Sequence, residues 1–443
     1  MTRLHTLTWT AKRVTLYEYD KNDNLITVTD PLGRVTENEY DAAGRLASVT
    51  EPGGLVTKYI YDSADRVIET VDPQGNRTKF EYDQNGNITA EIDAANHRAE
   101  YKYNEVNLLA AEIDPLGGVT TYVYDGAERL TEKTSPLSHK TAYEYDAAGN
   151  AVAITDANGH VTRPEYDRNG NNTIIRLPDG TQETKSYNAQ NQVTKIITSI
   201  SNGAGDTVGY TYNKMNRQSG ITDPSGAVTS FVYDALGRLV SETEATNGVK
   251  KYAYDADSNL SEYIDPNQNK TTYAYDLQRR LTSVTDSLNR VTKYGYDEMN
   301  NVVAITAPDG GITRREYDQA GRITKVTSPD GKAVGYGYDE YGRNSEITYP
   351  DGRIATYKYD LNDRLIEVTV DSGELTVDSC LSLTSYTYDK NGNVLTCERD
   401  NGIITTYEYD ALNRLIKLTN ELSTVTCQLS ENHHTKKRQF NFA

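Results

Sequence analysis

The chain has 443 residues and a formal net charge of −18. This acidic surplus disfavours nucleic acid or an anionic membrane surface as a partner, because both carry the same sign of charge. The sequence contains no apolar run of about 18 residues, so no membrane span is expected. Residues 1–13 lack the apolar core of a signal peptide.

Branched aliphatic residues and phenylalanine are sparse, near the level of roughly 20% at which composition alone suggests disorder. The apolar residues are nevertheless in register and flanked by turn residues, which argues for an ordered chain. The composition therefore predicts a thin sheet without a large dry core.

The first predicted element is a non-repetitive N-terminal segment, residues 1–11, with the only tryptophan, Trp9. A repeat array follows over residues 12–420. Each of its nineteen units is marked by a tyrosine, and the step between these tyrosines is 21 residues apart from one step of 25 and one of 29. Repetition this regular is a better guide to the architecture than chain length is. The marker tyrosines are Tyr19, Tyr40, Tyr61, Tyr82, Tyr103, Tyr124, Tyr145, Tyr166, Tyr187, Tyr212, Tyr233, Tyr254, Tyr275, Tyr296, Tyr317, Tyr338, Tyr359, Tyr388 and Tyr409.

An aromatic residue usually precedes the marker tyrosine by two positions, as Phe231 precedes Tyr233, and 32 of the 35 tyrosines follow this pattern. Residues i and i+2 share one face of a strand but lie about 200° apart on a helix. The spacing therefore predicts a strand with both rings on one face. We expect these rings to stack on the rings of the neighbouring units.

A first turn follows each marker tyrosine, as in Asp41-Ala42-Ala43-Gly44. The fourth residue after the tyrosine is Gly in eight units, Asn in five and Asp in three. These residues best tolerate positive φ. The pattern predicts a type I turn that ends in a left-handed residue, a common hairpin connection.

A second turn begins eleven residues after the marker tyrosine, as in Asp72-Pro73-Gln74-Gly75, and eleven of the twelve prolines occupy its second position. Proline fixes φ there, and Asp and Gly suit the ends of such a turn. The remaining proline, Pro164, replaces the first aromatic residue of its unit. We expect it to weaken its strand or mark a bulge, because it has no N–H to donate.

Two turns per unit predict a continuous antiparallel meander of roughly 38 strands, and open sheets of that width curl. The predicted fold class is all-β, a repetitive hairpin meander coiled into a spiral, hollow sheet. Insertions are expected at residues 199–206 and 371–380, where the longer steps occur. Residues 421–443 form a non-repeat C-terminal tail, which we expect to be frayed.

No catalytic, cofactor-binding or metal-binding residue is predicted. The adjacent pair His433 and His434 has no cysteine partner and is interpreted as part of a solvated tail. Plentiful carboxylates leave a glycosidase pair open in principle, but their even spread favours scaffolding. Three Asp- and Asn-rich turns, which lack the downstream Glu of a calcium loop, are interpreted as hairpin turns held by their own side chains: Asp83–Asn87, Asp167–Asn171 and Asp389–Asn393.

The three cysteines, Cys380, Cys397 and Cys427, are too few for a disulfide framework. We expect them to be buried or idle thiols.

The recurring units Tyr-Asp-x-x-Gly-Arg-Leu and Asp-Pro-x-Gly over residues 12–420 resemble the YD repeats of the bacterial Rhs family. That family includes Rhs polymorphic toxins, shell-forming components of Tc toxins, wall-associated proteins of Gram-positive bacteria and animal teneurins. The resemblance implies a strand spiral that forms a hollow shell, which in the toxins encloses a C-terminal toxic domain and delivers it to a competitor or host cell. Residues 410–443 do not match the plug-like segment of complete family members, so the chain is expected to be an excised stretch of shell.

The resemblance predicts a non-enzymatic, secreted or cell-surface structural protein. Its implied partners are the remaining shell segments and an encapsulated toxin domain, with no cofactor. The alternative is a carbohydrate-binding or adhesion module that recognises glycans through exposed Tyr and Asp. Unpaired strands at either end of the sheet also predict self-association.

Overall fold

The structure is a computed structural model, and it describes residues 3–9, 13–200, 205–371 and 382–422. The side chains of residues 1–13 lie outside this description, as do Cys380, Cys427 and the centres of both predicted insertions. The same holds for residues 423–443, which include His433 and His434. Every statement about structure below concerns the described residues.

The described residues form 39 strands and no helix. Within these ranges no helix has the length and apolar character needed to cross a lipid bilayer. The strands are β1 Arg3–Trp9, β2 Arg13–Tyr19, β3 Leu25–Thr29, β4 Val35–Tyr40, β5 Leu46–Glu51, β6 Leu55–Tyr61, β7 Val67–Val71, β8 Arg77–Tyr82, β9 Ile88–Ile92, β10 Arg98–Tyr103, β11 Leu109–Ile113, β12 Val119–Tyr124, β13 Leu130–Thr134, β14 Lys140–Tyr145, β15 Ala151–Thr155, β16 Val161–Tyr166, β17 Asn172–Arg176, β18 Thr181–Tyr187, β19 Val193–Ile200, β20 Asp206–Tyr212, β21 Gln218–Thr222, β22 Val228–Tyr233, β23 Leu239–Thr243, β24 Val249–Tyr254, β25 Leu260–Ile264, β26 Lys270–Tyr275, β27 Leu281–Thr285, β28 Val291–Tyr296, β29 Val302–Thr306, β30 Ile312–Tyr317, β31 Ile323–Thr327, β32 Ala333–Tyr338, β33 Asn344–Thr348, β34 Ile354–Tyr359, β35 Leu365–Asp371, β36 Ser382–Tyr388, β37 Val394–Arg399, β38 Ile403–Tyr409 and β39 Leu415–Leu422.

The strands form one antiparallel meander in a single sheet, and each strand pairs with the next in sequence, as β7 pairs with β8 and β8 with β9. The predicted all-β hairpin meander is therefore confirmed. The strand beyond the expected 38 is β1, which lies in the segment predicted to be non-repetitive and pairs with β2 along its whole length.

The two faces of the sheet differ as the aromatic spacing predicts. In β8, Phe80 and Tyr82 are half-buried, whereas Lys79 and Glu81 are exposed. Few side chains are fully covered, and the buried apolar residues are Ala90, Ala153, Ala355 and Cys397. No large side chain of the described residues is fully buried, which confirms a sheet without a large dry core.

Both turns of a unit have the predicted hairpin geometry. In the first turn of one unit, the Asp41 N–H donates to the carbonyl of Arg45 at 2.8 Å, and the Gly44 N–H donates to the carbonyl of Asp41 at 3.0 Å. Gly44 has a φ of 82°. The fourth residue after every marker tyrosine has positive φ, including three residues that the sequence did not flag, Glu128, Ser258 and Arg279.

One residue of the strand after each first turn has no partner in the ladder. Glu81 pairs with Ala90, but the next residue, Tyr82, pairs with Ile88, so that Thr89 is skipped. This shift recurs before every marker tyrosine, as in the pairings of β4 with β5 and of β38 with β39. Such bulges bend a strand and increase its twist, so their repetition in one direction favours a coiled sheet.

Pro164 shortens the ladder on one side of its strand. Strands β15 and β16 share two residue pairs, whereas the equivalent strands β13 and β14 share three. Pairing on the other side continues, because Pro164 lies opposite Ile175 in β17. The predicted weakening is confirmed.

The sheet coils into a spiral, because turns far apart in sequence lie side by side. We number the units 1 to 19 by their marker tyrosines. The second turn of an early unit contacts the first turn of a unit twelve or thirteen places later, as Asn158 of unit 7 contacts Asp410 of unit 19. The strand ends of one coil meet the strand ends of the next coil, so the strands run roughly along the spiral axis. The predicted hollow spiral is confirmed.

Candidate functional site

The first feature that recurs around the spiral is a side chain that closes each first turn, which we call the clamp. It is an aspartate in sixteen units and an asparagine in the other three, Asn104, Asn188 and Asn213. In unit 2, Asp41 Oδ1 accepts the backbone N–H groups of Ala43 and Arg45 at 2.9 and 3.0 Å. Its Oδ2 accepts from Arg45 Nε at 2.7 Å. The side-chain hydrogen bond from Arg45 is the main cause that holds the pKa of Asp41 below its ordinary value of 3.8.

The clamp arginine also reaches the next unit along the sheet. Arg45 NH1 donates to the carbonyl of Asp62 at 3.0 Å and to Asp65 Oδ1 at 2.7 Å. Its Cζ lies 4.6 Å from the centre of the Tyr61 ring, a geometry that attracts a cation to an aromatic face. We call this contact between the clamp arginine and the next marker tyrosine the latch.

Among the described residues the latch recurs in nine pairs, with distances of 4.4–5.8 Å between the guanidinium carbon and the ring centre. The pairs are Arg45–Tyr61, Arg66–Tyr82, Arg129–Tyr145, Arg217–Tyr233, Arg238–Tyr254, Arg280–Tyr296, Arg322–Tyr338, Arg343–Tyr359 and Arg364–Tyr388.

The hydroxyl of the marker tyrosine ties its unit to the preceding one. Tyr61 donates to the carbonyl of Leu46 at 2.8 Å, and Tyr82 donates to the carbonyl of Val67 at 2.7 Å. Where both partners are described, fourteen marker tyrosines make this bond, at 2.6–3.0 Å. The accepting carbonyl belongs to the first residue of a strand in every case, so the ring bridges two hairpins.

The expected stacking of tyrosine on tyrosine is therefore wrong as a description of the repeat. One tyrosine pair of the described residues has its rings in contact, Tyr252 and Tyr263, with centres 5.4 Å apart. Arginine and a backbone carbonyl are the regular partners instead. Because these partners occupy the marker rings, the glycan-binding alternative is not favoured.

Asparagine replaces the clamp arginine in several units. In unit 4, Asn87 donates to Asp83 Oδ2 at 2.9 Å, and Asn85 and Asn87 both donate to Asn107 Oδ1, at 2.8 and 3.0 Å. The same arrangement joins Asn171 to Asn191 and Asn393 to Asn413. The three turns that weakly resemble calcium loops are thus hairpin turns held by their own side chains, as predicted. Within the described ranges no group of three His, Cys, Asp or Glu residues is arranged to hold a metal ion.

The second recurring feature is the line along which successive coils of the sheet meet, which we call the seam. Its lower side consists of the second turns of units 1–7, and its upper side consists of the first turns of units 13–19. The contacting pairs on the two sides are Arg34 with Gln278 and Asn300, Gly53 with Met299, His97 with Tyr341, His139 with Asn391, and Asn158 with Asp410.

The seam contacts are polar and specific. Arg34 NH1 donates to Asn300 Oδ1 at 2.9 Å, while its Nε remains paired with Asp30 at 2.7 Å. Asn158 donates to Asp410 Oδ2 at 3.1 Å and accepts from the Ala411 N–H at 3.2 Å. Burial raises the pKa of Asp410, but hydrogen bonds from Arg414 and Asn158 outweigh it and lower the pKa to about 2.

Three histidines also lie in the lower row of the seam. His97, His139 and His160 each follow a marker tyrosine by fifteen residues, the position that Arg34 occupies in unit 1. No prediction above used this shared position, although the 21-residue register of the sequence contains it.

Of the cysteines, Cys397 is a buried free thiol, as predicted. Cys380 and Cys427 lie outside the described residues.

Comparison with known proteins places this repeat in context. A family model described as RHS Repeat matches well over half of the chain in overlapping copies. The matched residues are 19–56, 40–77, 61–98, 103–140, 129–161, 145–182, 187–228, 217–249, 254–289, 280–312, 317–354 and 388–425. No curated protein matches the chain.

Several solved structures share the fold over nearly the whole chain. The crystal structure of TcdB2-TccC3-Cdc42 matches with a TM-score of 0.77 at 15% identity, over 91% of this chain and 27% of that one. TcdB2-TccC3 without its hypervariable C-terminal region gives 0.77 at 14% identity, over 91% and 26%. A Tc holotoxin pore of Photorhabdus luminescens gives 0.76 at 15% identity, over 97% and 27%. The chain thus spans about a quarter of the length of the chains it matches.

Proposed function

Because the chain belongs to the RHS repeat family, we propose that its spiral is part of the wall of a shell that encloses a polypeptide cargo. The observation that carries this proposal is the seam, since Asn158 and Asp410 bond across it although 252 residues separate them. Contacts between successive coils turn a ribbon of hairpins into a continuous wall, which a shell requires.

The curvature of the wall sets the size of the space inside. Twelve units contain 24 strands, and at about 4.8 Å per strand they give a circumference of about 115 Å and a diameter of about 37 Å. Side chains on the inner face reduce this diameter to a lumen of about 27 Å, because at each wall they occupy about half of the usual 10 Å spacing between packed sheets. That width accommodates an extended or partly folded polypeptide.

The proposed cargo is a toxic or surface-acting C-terminal domain, used in interbacterial competition or against a host. One structural neighbour is TcdB2-TccC3 without its hypervariable C-terminal region, and another is a Tc holotoxin pore. In this proposal the repeat array, residues 12–420, is structural and non-enzymatic, and it acts outside the cell that makes it. Because this chain covers 27% of the matched chains, further shell segments are proposed partners.

Protease protection of a fused cargo tests the proposal. A disordered reporter is fused after Ala443, and its rate of cleavage by trypsin is compared with that of the free reporter. The control fusion carries Arg34→Ala and Asn158→Ala, which remove seam contacts without replacing a clamp or latch residue. Slower cleavage with the intact seam than with the control supports enclosure, and equal rates in all three samples contradict it.

The last described strand is proposed as a second contact surface. In β39, which pairs with β38, Leu415, Ile416 and Leu422 are 50%, 64% and 77% exposed. Apolar side chains on an edge strand promote pairing with further strands. We predict concentration-dependent association of the purified chain by light scattering, and a monomer at high concentration would contradict it.

A further inference from the structure

The lower row of the seam carries three imidazole side chains. His97, His139 and His160 occupy one repeat position in units 4, 6 and 7. Imidazole is the side chain that ordinarily titrates between about pH 5 and 8. Each histidine has different neighbours, so protonation has a different consequence at each unit.

At unit 6 the protonation state of His139 is fixed by the amide that faces it across the seam. Asn391 Oδ1 accepts the Leu137 N–H at 3.2 Å, and Asn391 Nδ2 donates to Asn413 Oδ1 at 3.0 Å. These two bonds set the orientation of the amide. The second proton of Asn391 Nδ2 therefore points to His139 Nδ1, 3.2 Å away, so this nitrogen must accept and the ring is neutral with its proton on Nε2.

We propose that protonation of His139 loosens the seam between units 6 and 18, so that mild acid opens this part of the wall. A proton on Nδ1 places one donor against another, and the Leu137–Asn391 bond beside it loses its support. This response of the seam depends on the contacts of His139 alone, whatever the shell encloses.

The charged groups around His139 are engaged elsewhere. Lys140, the next residue along the chain, pairs with Glu132 at 2.9 Å. Across the seam, Asp389 accepts from Asn393, and Arg414 of the next unit pairs with Asp410. Lys390 is the other charged group of the facing turn. Within the described residues none of these groups bonds to the imidazole, so no carboxylate is placed to hold a protonated ring in the seam.

Protonation of His97 should have the opposite effect on the seam at unit 4. Its Nδ1 lies 2.9 Å from Asp93 Oδ2, and its ring centre lies 5.4 Å from that of Tyr341 across the seam. Protonation creates an ion pair with Asp93 and a cation beside an aromatic ring. The charged groups on the facing turn are Glu340, which accepts the Tyr341 hydroxyl, Asp339, and Arg343, which pairs with Asp339 at 2.7 Å and whose Cζ lies 4.8 Å from the Tyr341 ring. The seam at units 4 and 16 is therefore expected to persist in mild acid.

His160 provides a matched control. It occupies the same repeat position, but its Nδ1 lies 3.2 Å from Asp156 of its own turn. The seam contacts of that turn are made by Asn158 instead. Replacing His160 should leave the pH response of unit 6 unchanged.

Amide hydrogen exchange of the full chain, measured between pH 8 and pH 5.5 and corrected for intrinsic rates, tests the proposal. Protection at the Leu137 amide should fall about tenfold in the wild type and in His160→Gln, as expected when a bonded donor loses its partner. Protection at the Leu137 amide should stay constant in His139→Gln. Protection around His97 should stay constant in all three proteins. No loss in the wild type, or an equal loss in His139→Gln, would overturn the proposal.

A second measurement covers the case in which His139→Gln does not fold. The ¹⁵N shifts of the His139 ring in the wild type at pH 8 report which nitrogen carries the proton. A protonated Nε2 is expected, and a protonated Nδ1 would rule the proposal out.

Discussion

A marker tyrosine such as Tyr61 joins two hairpins through its two chemically different parts. The Tyr61 ring lies beside the guanidinium of Arg45, and its hydroxyl donates to the carbonyl of Leu46. The clamp carboxylate, Asp41, holds the same arginine from the other side. The aspartate thus orients the arginine, and the arginine positions the ring of the following unit.

Removing the hydroxyl of one marker tyrosine tests its hydrogen bond separately from the contact of its ring. Tyr61→Phe keeps the ring beside Arg45 but deletes the bond to Leu46, and it should lower the free energy of unfolding by about 1 kcal/mol. Tyr103→Phe is the matched control, because the Tyr103 hydroxyl has no hydrogen-bond partner among the described residues. Chemical denaturation measures both, and equal losses would refute a role for the hydroxyl bond.

The clamps predict how stability depends on pH. Hydrogen bonds from the facing arginine, above all, lower the pKa of Asp41, Asp62 and Asp125 from the ordinary 3.8. A carboxylate with a lowered pKa in the folded state contributes stability that is complete above about pH 4 and is lost as pH falls through the folded value. Because the pKa of Asp410 is about 2, the loss should extend down to about pH 2.

Denaturation midpoints measured from pH 7 to pH 2 check this dependence. They should be nearly constant from pH 7 to about pH 5, apart from any local change at His139, and should fall steadily below about pH 4. A midpoint that rises on acidification below pH 4 would contradict the clamp.

Each hairpin depends on one left-handed residue that the sequence marks in most units but not in all. Glycine, asparagine or aspartate occupies this position in sixteen units. Glu128, Ser258 and Arg279 adopt the same conformation with φ of 65°, 67° and 66°, which is unfavourable for such side chains. The neighbouring hairpins therefore impose the turn even where the local sequence resists it.

Glycine substitutions test the backbone requirement of the turn. A Cβ added at Gly44 meets no atom within 4 Å, so the cost of Gly44→Ala comes from its φ of +82° alone, and we expect a loss of about 1 kcal/mol. Gly126→Ala is the control, because its Cβ also meets nothing and its φ is not positive. It should be neutral or slightly stabilising in thermal unfolding. Equal effects of the two substitutions would contradict the assigned turn geometry.

The strands, both turns and the shared face of the rings were predictable, because each depends on residues adjacent in sequence. The latch was not, since the partner of Tyr61 is sixteen residues away and the pattern shows only that arginine recurs. The seam was even harder to predict from the sequence. Which turn meets Asn158 depends on curvature accumulated over twelve units, and no local pattern encodes that sum.

At the scale of the whole molecule, bulges and seam have complementary effects. A bulge beside every marker tyrosine bends the sheet in a constant direction, as at Tyr82 and Tyr409. The seam then fixes the number of units per coil through contacts such as that of Arg34 with Asn300. A wall built this way needs no large core, because each unit is held by its neighbours in the sheet and by the coil above or below.

The coiled arrangement places exposed residues of units 6 and 18 side by side. Ser138 and Lys390 lie on turns that meet at the seam, although 252 residues separate their neighbours His139 and Asn391. Ala256, on the first turn of unit 12, lies half a coil away from Ser138. In a flat ribbon, the 24 strands between units 6 and 18 would separate Ser138 from Lys390 by about 115 Å at 4.8 Å per strand.

Spin labels at Ser138 and Lys390, with the three native cysteines replaced, measure this distance directly by double electron–electron resonance. The spiral predicts a narrow distribution below about 20 Å for this pair and about 40 Å for the control pair Ser138 and Ala256, from the strand spacing given above. A separation of Ser138 and Lys390 beyond the range of the method would contradict the coiled wall.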